Sequence, residues 1–410
     1  MNSALRGQLE QRLLVLVTLA LVAFGLVMVF SATSAAAALG NGDPIDVVKR
    51  QGIYALLGIG LLVAASRFDH RRLRKLALPL VLTALVLCVA VLAVGPEING
   101  ARRWLTFGPF TFQPSELAKL ALLVFAAAYL ARRGAPRTLG ELWKPIGMLT
   151  LAFGGLIVVE PDLGTTIALM LMIGGMLVVA GVPGRTLAAA GSLALAAGLA
   201  AIWVEPYRRA RVFSFLDPWK DPTDTGFQTV QALIGIGSGG LTGKGLGEGV
   251  QKINYLPEQQ TDMILAVIGE ELGLLGTTAV IAAFAVFAFA GFSVALHCRD
   301  PFGKLLAAGV TSLVCGQAAV NLAAVLAVAP LTGIPLPFVS YGGSSLVVLL
   351  ASVGILLNIA GDDRAPERTA SPHRGRGNRR PRPAVARSRG GAARTRRHGD
   401  VRRVAGSRRG

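Results

Sequence analysis

Apolar residues run through this chain in blocks too long for the interior of a water-soluble domain. A membrane helix needs roughly 20 mostly apolar residues, and ten stretches approach that length. They cover about 13–34, 51–66, 76–95, 115–131, 145–160, 165–181, 187–204, 262–292, 305–329 and 342–360. The eighth is long enough to begin outside a bilayer. The polar stretches between spans alternate in Lys and Arg content. Arg67, Arg71, Arg72, Arg74 and Lys75 follow the second span, and Arg132, Arg133, Arg137 and Lys144 follow the fourth. Arg185 follows the sixth, Arg299 and Lys304 the eighth, and an Arg-rich tail the tenth. The positive-inside rule places all of these in the cytoplasm.

The predicted fold class is therefore an all-α polytopic membrane protein with about ten transmembrane helices. Both termini are cytoplasmic, which Arg6 and Arg12 fit, and a long extracytoplasmic loop lies between spans seven and eight. The expected organisation is a cytoplasmic N-terminus over 1–12, a ten-span domain over 13–360 containing the loop 205–261, and a tail over 361–410. The first span resembles a signal peptide, with Arg12 before it and Ala35–Ala38 behind it. Its apolar core of about 18 residues exceeds the usual signal-peptide length, so it reads as a retained helix. No inverted repeat of the transporter kind is visible.

Composition agrees with the pattern. The chain is 53% hydrophobic and only 16% charged, where a soluble domain carries about 25% charged residues. That excludes an ordinary soluble enzyme, a disordered chain and a disulfide scaffold. Cys88, Cys298 and Cys315 are too few and too scattered for a disulfide framework or a zinc site. The net charge of +18 is uneven: residues 361–410 hold 16 Arg, no Lys and 4 Asp/Glu, which makes +12. That tail has no aromatic residue and few aliphatics, so it reads as disordered. Its expected partner is anionic lipid rather than nucleic acid, since nothing in it can stack on bases.

Ionisable residues at membrane depth are costly and point to function. Four stretches on the predicted outer side collect them. In the first, Asn99-Gly100-Ala101-Arg102-Arg103-Trp104 runs into Gln113-Pro114-Ser115-Glu116-Leu117-Ala118-Lys119. Pro114 suits a helix start, and Glu116 and Lys119 then share one helix face as a structural or active-site ion pair. Arg102 and Arg103 break the charge rule, which marks them for an anionic ligand. The second, Glu160-Pro161-Asp162-Leu163-Gly164, is a tight turn whose carboxylates suit either a cation or a helix cap.

The third is the loop 205–261, whose length alone suggests function. It carries Arg208, Arg209 and Arg211, then a glycine-rich stretch from Gly235 to Gly249 with Lys244 inside. Glycines let backbone N–H groups approach an anion, but the spacing is not that of a nucleotide-binding loop. The fourth is Pro257-Glu258-Gln259-Gln260-Thr261-Asp262, followed after Gly269 by Glu270-Glu271. Pro257 suits a first helical position, which would place Glu258 and Asp262 at i, i+4. These carboxylates suit a general base, a metal ligand, a helix cap or a partner contact.

These motifs in this order resemble the SEDS family (shape, elongation, division and sporulation), the family of FtsW and RodA. The resemblance covers about residues 10–360. It also rests on Asp217-Pro218-Trp219, Gly237-Ser238-Gly239-Gly240 and the run Pro335 to Ser345. The wording around Gly245-Leu246-Gly247 and Tyr255-Leu256-Pro257-Glu258 is closer to the division branch than to the elongation branch. The resemblance implies a peptidoglycan glycosyltransferase of the bacterial cytoplasmic membrane, at the division septum. It would polymerise lipid II on the outer face with a class B penicillin-binding protein and other division proteins.

Asp262 matches the family's essential aspartate, the proposed base. Members often carry His and Phe where this chain has Gln260 and Met263. Arg102, Arg103, Arg208, Arg209, Arg211, Lys244 and Glu258 are the substrate-binding candidates. A divalent cation, Mg or Mn, would help the diphosphate leave, and no organic cofactor is implied. The competing readings are a lipid II flippase, an elongation-type polymerase and a structural scaffold. A flippase needs ionisable groups through the membrane depth, and spans five to seven have almost none. An Asp near a helix N-terminus should have a lowered pKa, whereas a base wants one nearer neutral.

The topology is directly testable. A reporter fused after residue 365 is expected to read cytoplasmic and one inserted near Thr223 external. A cytoplasmic signal near Thr223 overturns the ten-span arrangement.

Overall fold

In a computed structural model of the protein, residues 3–38, 44–98, 100–108, 110–253 and 256–362 are described. The tail read as disordered, with its lipid-binding role, lies outside them from residue 363, as do Asn99 and Tyr255. Among the described residues, ten helices are long and apolar enough to cross a membrane. The spanning helices are α1 (Ser3–Ala38), α2 (Pro44–Arg67), α3 (Leu73–Val94), α4 (Pro114–Arg133), a fifth span built from α5 (Leu139–Leu142), a wider turn and α6 (Met148–Val159), α7 (Leu163–Ala180) and α8 (Gly184–Val204). Two short helices follow, α9 (Pro206–Leu216) and α10 (Phe227–Gly239), then the spans α11 (Ile264–His297), α12 (Pro301–Val325) and α13 (Gly343–Asp362). The chain is an all-α multi-pass membrane protein.

Local chemistry sets the helix boundaries. Pro114 opens α4 at a position where its missing N–H costs nothing, and Gly134 closes it at φ 81°. Asp162 caps α7 by accepting from Thr165 N, and Asp300 caps α12 by accepting from Gly303 N. α12 is central: it packs on α4, α7 and α11, while α1 lies along α11, and α13 along α2. α8 stands apart, with no buried residue in its apolar stretch.

Three features depart from the sequence reading. The segment 205–261 is not a simple loop, because α9 and α10 occupy much of it. The stretch before the first Gln-Pro-Ser-Glu motif forms a hairpin, with β1 (Leu105–Phe107) antiparallel to β2 (Phe110–Phe112). The i, i+4 placement of Glu258 and Asp262 is corrected: α11 begins only at Ile264, and Glu258 sits at φ 53°, outside any helix.

The glycine-rich stretch serves close packing. α10 crosses the first turns of α11 so tightly that a Cβ on Gly239 would lie 1.9 Å from the Gly269 carbonyl oxygen. A Cβ on Gly243, at φ +81°, would lie 2.1 Å from the Glu271 carbonyl oxygen. α11 itself breaks at Gly273 (φ 63°), leaving a short leading segment, 264–272, clasped by the glycine stretch. Overpacking and strain of this kind cost about 1–3 kcal/mol. Gly239→Ala and Gly243→Ala should therefore each lower the melting temperature in detergent, whereas Gly237→Ala, which has open space, should not.

Candidate functional site

The leading segment of α11 carries two adjacent buried carboxylates, and each recruits a lysine, one from within the glycine-rich stretch and one from just after it. Lys244 Nζ lies 2.7 Å from Glu270 Oε1, and the same carboxylate accepts from Val250 N (2.9 Å) and Gln251 N (3.0 Å). Lys252 Nζ lies 2.7 Å from Glu271 Oε1, and both are buried. Ser31 of α1 donates to the same Glu271. Gln259 Nε2 donates to the Ala32 carbonyl at 2.9 Å, again reaching α1. The anion held by Lys244 and by the backbone just after the glycine-rich stretch is thus the protein's own Glu270.

This anchoring delivers the turn 256–263 and, in it, Asp262. Thr261 Oγ1 sits between two carboxylates, 3.0 Å from Glu258 Oε2 and 3.3 Å from Asp262 Oδ1. Glu258 is exposed, whereas Asp262 is 9% exposed. The Asp262 side chain caps no helix: Met263 holds the cap position of α11, without a side-chain bond. Burial raises the Asp262 pKa to about 7, and the charge of Glu258 adds to the rise. The Arg211 guanidinium, its own backbone N–H and Thr261 pull it back only in part. The contest between helix dipole and burial is won by burial, and a carboxylate poised near neutrality suits proton abstraction.

A second loop, 326–342, between α12 and α13, closes over the carboxylate. A Cβ on Gly333 would lie 4.0 Å from Asp262 Oδ2. Arg211 donates to the Leu331 carbonyl (3.3 Å), and Tyr341 N donates to the Gln260 carbonyl (2.8 Å). Asn321 Nδ2 donates to the carbonyls of Asp262 (2.7 Å) and Ile334 (2.8 Å).

The remaining candidates are placed as follows. Arg211 joins Asp262 and Glu258. Arg103 donates to the carbonyls of Glu160 (2.8 Å) and Pro161 (2.6 Å), while Arg102 is half-exposed, 3.9 Å from Glu97. Arg208 donates to the Val158 (2.7 Å) and Ala201 (3.1 Å) carbonyls, and Arg209 lies over the Trp203 ring. Among the described residues, Arg102, Arg103 and Lys244 make no hydrogen bond or ion pair with Asp262.

In the second turn, Asp162 is engaged as a cap and as acceptor from Gln113 Nε2 (3.1 Å). Glu160 is wholly buried with neither oxygen hydrogen-bonded, and burial lifts its pKa to about 8. Lys119 and Glu116 form a buried pair at 2.8 Å. Sequence reasoning missed Asn321, although two amides one turn apart in an apolar span, Gln317 and Asn321, are themselves a signal.

Comparison with known proteins gives this arrangement its family. The family of cell cycle proteins that unites FtsW, RodA and SpoVE matches residues 11–365, and the chain belongs to it. The chain is 43% identical to a probable peptidoglycan glycosyltransferase FtsW of Geobacter sulfurreducens, over 85% of this chain and 94% of that one. It is 38% identical to stage V sporulation protein E of Bacillus subtilis, over 85% and 96%. Among solved structures, it resembles a chain from work on how a peptidoglycan synthase complex coordinates polymerization and crosslinking (TM-score 0.71, 34% identity, 86% and 97% covered). It also resembles Thermus thermophilus rod shape determining protein RodA (TM-score 0.63, 32% identity, 86% and 97% covered).

The Glu116–Lys119 pair gives a test. Removing one partner of a buried pair costs roughly 3–5 kcal/mol, because the other charge is left alone. Glu116→Gln and Lys119→Met should each lower yield and melting temperature, and the double variant should recover part of the loss. Normal melting with lost activity in either single variant would move the pair into the reaction.

Proposed function

We propose that Asp262 is the general base of a lipid II polymerase acting on the outer face of the bacterial cytoplasmic membrane. The class of activity follows from the family: the chain is a peptidoglycan glycosyltransferase of the cell-division type. The observation that carries the mechanism is a buried carboxylate titrating near neutrality, beside an arginine, in a turn built by distant ion pairs. The orientation rests on the Arg and Lys residues of the opposite edge, where Arg71, Arg74 and Arg137 gather.

In this reading Asp262 takes the proton from the acceptor's sugar hydroxyl. That oxygen forms a bond to the donor's anomeric carbon, whose bond to the diphosphate oxygen breaks, and the electron pair leaves with the polyprenyl diphosphate. Arg211 is the cation whose charge acts on the base, and Arg102, Arg103, Arg208 and Arg209 are further candidates to hold the diphosphate. Lys244 enters through Glu270, by fixing the turn. Glu258 raises the basicity of Asp262 by its charge. The described residues contain no group of three or more side chains able to hold a metal. A Mg or Mn ion would accompany the substrate diphosphate rather than occupy a protein cage. The synthase complex among the structural relatives supports a class B penicillin-binding protein as partner. The division septum, other division proteins, and anionic lipids along the tail complete the proposal.

Asp262→Asn keeps size and removes the base. Such assistance is worth about 10²–10⁴-fold, so glycan chains made from lipid II by the purified protein and its partner should nearly vanish from a gel. A flippase would make no polymer even as wild type. Because the folded-state pKa lies above the ordinary carboxylate value, the native state holds its proton more tightly than the unfolded chain does. The Asp262 contribution to stability is therefore present at low pH and is lost as pH rises through about 7. Asp262→Asn should accordingly melt higher than wild type at pH 8, an advantage that fades toward pH 4. Polymerisation within a factor of two of wild type would remove Asp262 from the mechanism.

A further inference from the structure

We infer that Asn321 is a positioning residue for the glycosyl transfer, a clamp that joins the two loops meeting at the base. The inference rests on the assignment of Asp262 as that base. Asn321 lies in the last turns of α12 and is 1% exposed. Its two amide hydrogens go to two different segments: the Asp262 carbonyl, just ahead of α11, and the Ile334 carbonyl in the loop 326–342. Both neighbours of the nitrogen are acceptors, so a flipped amide would set Oδ1 against two carbonyl oxygens. Its orientation is thereby fixed.

The geometry makes this single side chain set how deeply the carboxylate is buried. One bond holds the backbone of Asp262 itself. The other holds Ile334, next to Gly333, whose backbone faces Asp262 Oδ2. The turn is also tied to the loop where Tyr341 N donates to the Gln260 carbonyl, and α9 is tied to the loop where Arg211 donates to the Leu331 carbonyl. No other residue type does the same job at this place. Asp or Ser offers at most one hydrogen, and an apolar residue leaves two buried carbonyls without donors.

Loss of the clamp should have two effects on the reaction. The carboxylate shifts relative to the acceptor hydroxyl, and a misplacement of about 1 Å is worth about 10²-fold. Water also reaches Asp262 as the Gly333 loop lifts, so burial no longer holds its pKa up. The other charged groups facing Asp262, Glu258 and Arg211, remain in place.

The test is the pH dependence of lipid II polymerisation by the full chain with its penicillin-binding partner, read alongside melting in detergent. Wild type should gain rate through about pH 7 as the base ionises. Asn321→Ala should lower kcat by about 10- to 100-fold, keep KM within about threefold, and move the acid limb toward the ordinary carboxylate range. A purely structural role would lower the melting temperature and the active fraction while leaving that limb where it is, and this result overturns the inference. If Asn321→Ala does not fold, Asn321→Asp decides. Its carboxyl donates only while protonated, so its rate should fall as pH rises where wild type gains, and a profile parallel to wild type overturns the inference. Asp262→Asn is run in parallel. Full activity there overturns the base assignment and this inference with it, whereas an inactive Asp262→Asn beside an unmoved limb in Asn321→Ala overturns the clamp alone.

Discussion

Two neighbouring glutamates buried at the head of one helix are the constraint from which the site follows. Glu270 and Glu271 are almost wholly inaccessible, and a buried carboxylate must find a cation or surrender its charge. Each finds a lysine 18 or more residues earlier in the chain, Lys244 and Lys252. To deliver those lysines the chain folds back along the helix, at a separation that only glycine allows. The turn after Lys252 then has little freedom left, and it is this turn that carries the reactive carboxylate.

That carboxylate is treated in the opposite way. Asp262 is buried without a full counter-charge: a second acid nearby opposes the partial help of Arg211. The molecule thus spends stability on one residue and recovers it from its neighbours, as sites tuned for proton transfer commonly do. Glu160 shows that burial alone is not the signature. It is also raised, with no hydrogen-bonded partner, yet Asp162 beside it is fully engaged as a helix cap. Glu160 and Asp262 each have a second acid and an arginine acting on them, Asp162 and Arg103 for Glu160 and Glu258 and Arg211 for Asp262; Asp262 differs in that its carboxylate accepts a hydrogen bond, from Thr261.

The ten spans were legible because hydropathy over about 20 residues is a local property. The ion pair of Glu116 and Lys119 was legible because both sit on one face of a helix opened by Pro114. Asp262 was found through resemblance. Its burial was not readable, since the chain brought up to it includes Gly333, which stands 71 positions away in sequence. The hairpin of β1 and β2 was signalled by matching Thr–Phe alternation in its two strands but was hidden by its shortness. The partner of Lys244 was hidden for a similar reason: a cation among glycines looks like an anion site, and the carboxylate that pairs with it, Glu270, lies 26 positions further on.

α8 has a different consequence. Its apolar stretch buries nothing against the rest of the protein, so its side chains answer to lipid rather than to neighbouring helices. Residues such as Leu193, Leu195 and Leu199 are then held only to a requirement for greasiness and length. Any substitution that keeps this helix apolar and long enough meets that requirement, whereas most of the apolar stretch of α12 is buried against other helices. The variability of this one helix would record the thickness and composition of the host's bilayer more than the chemistry of the enzyme.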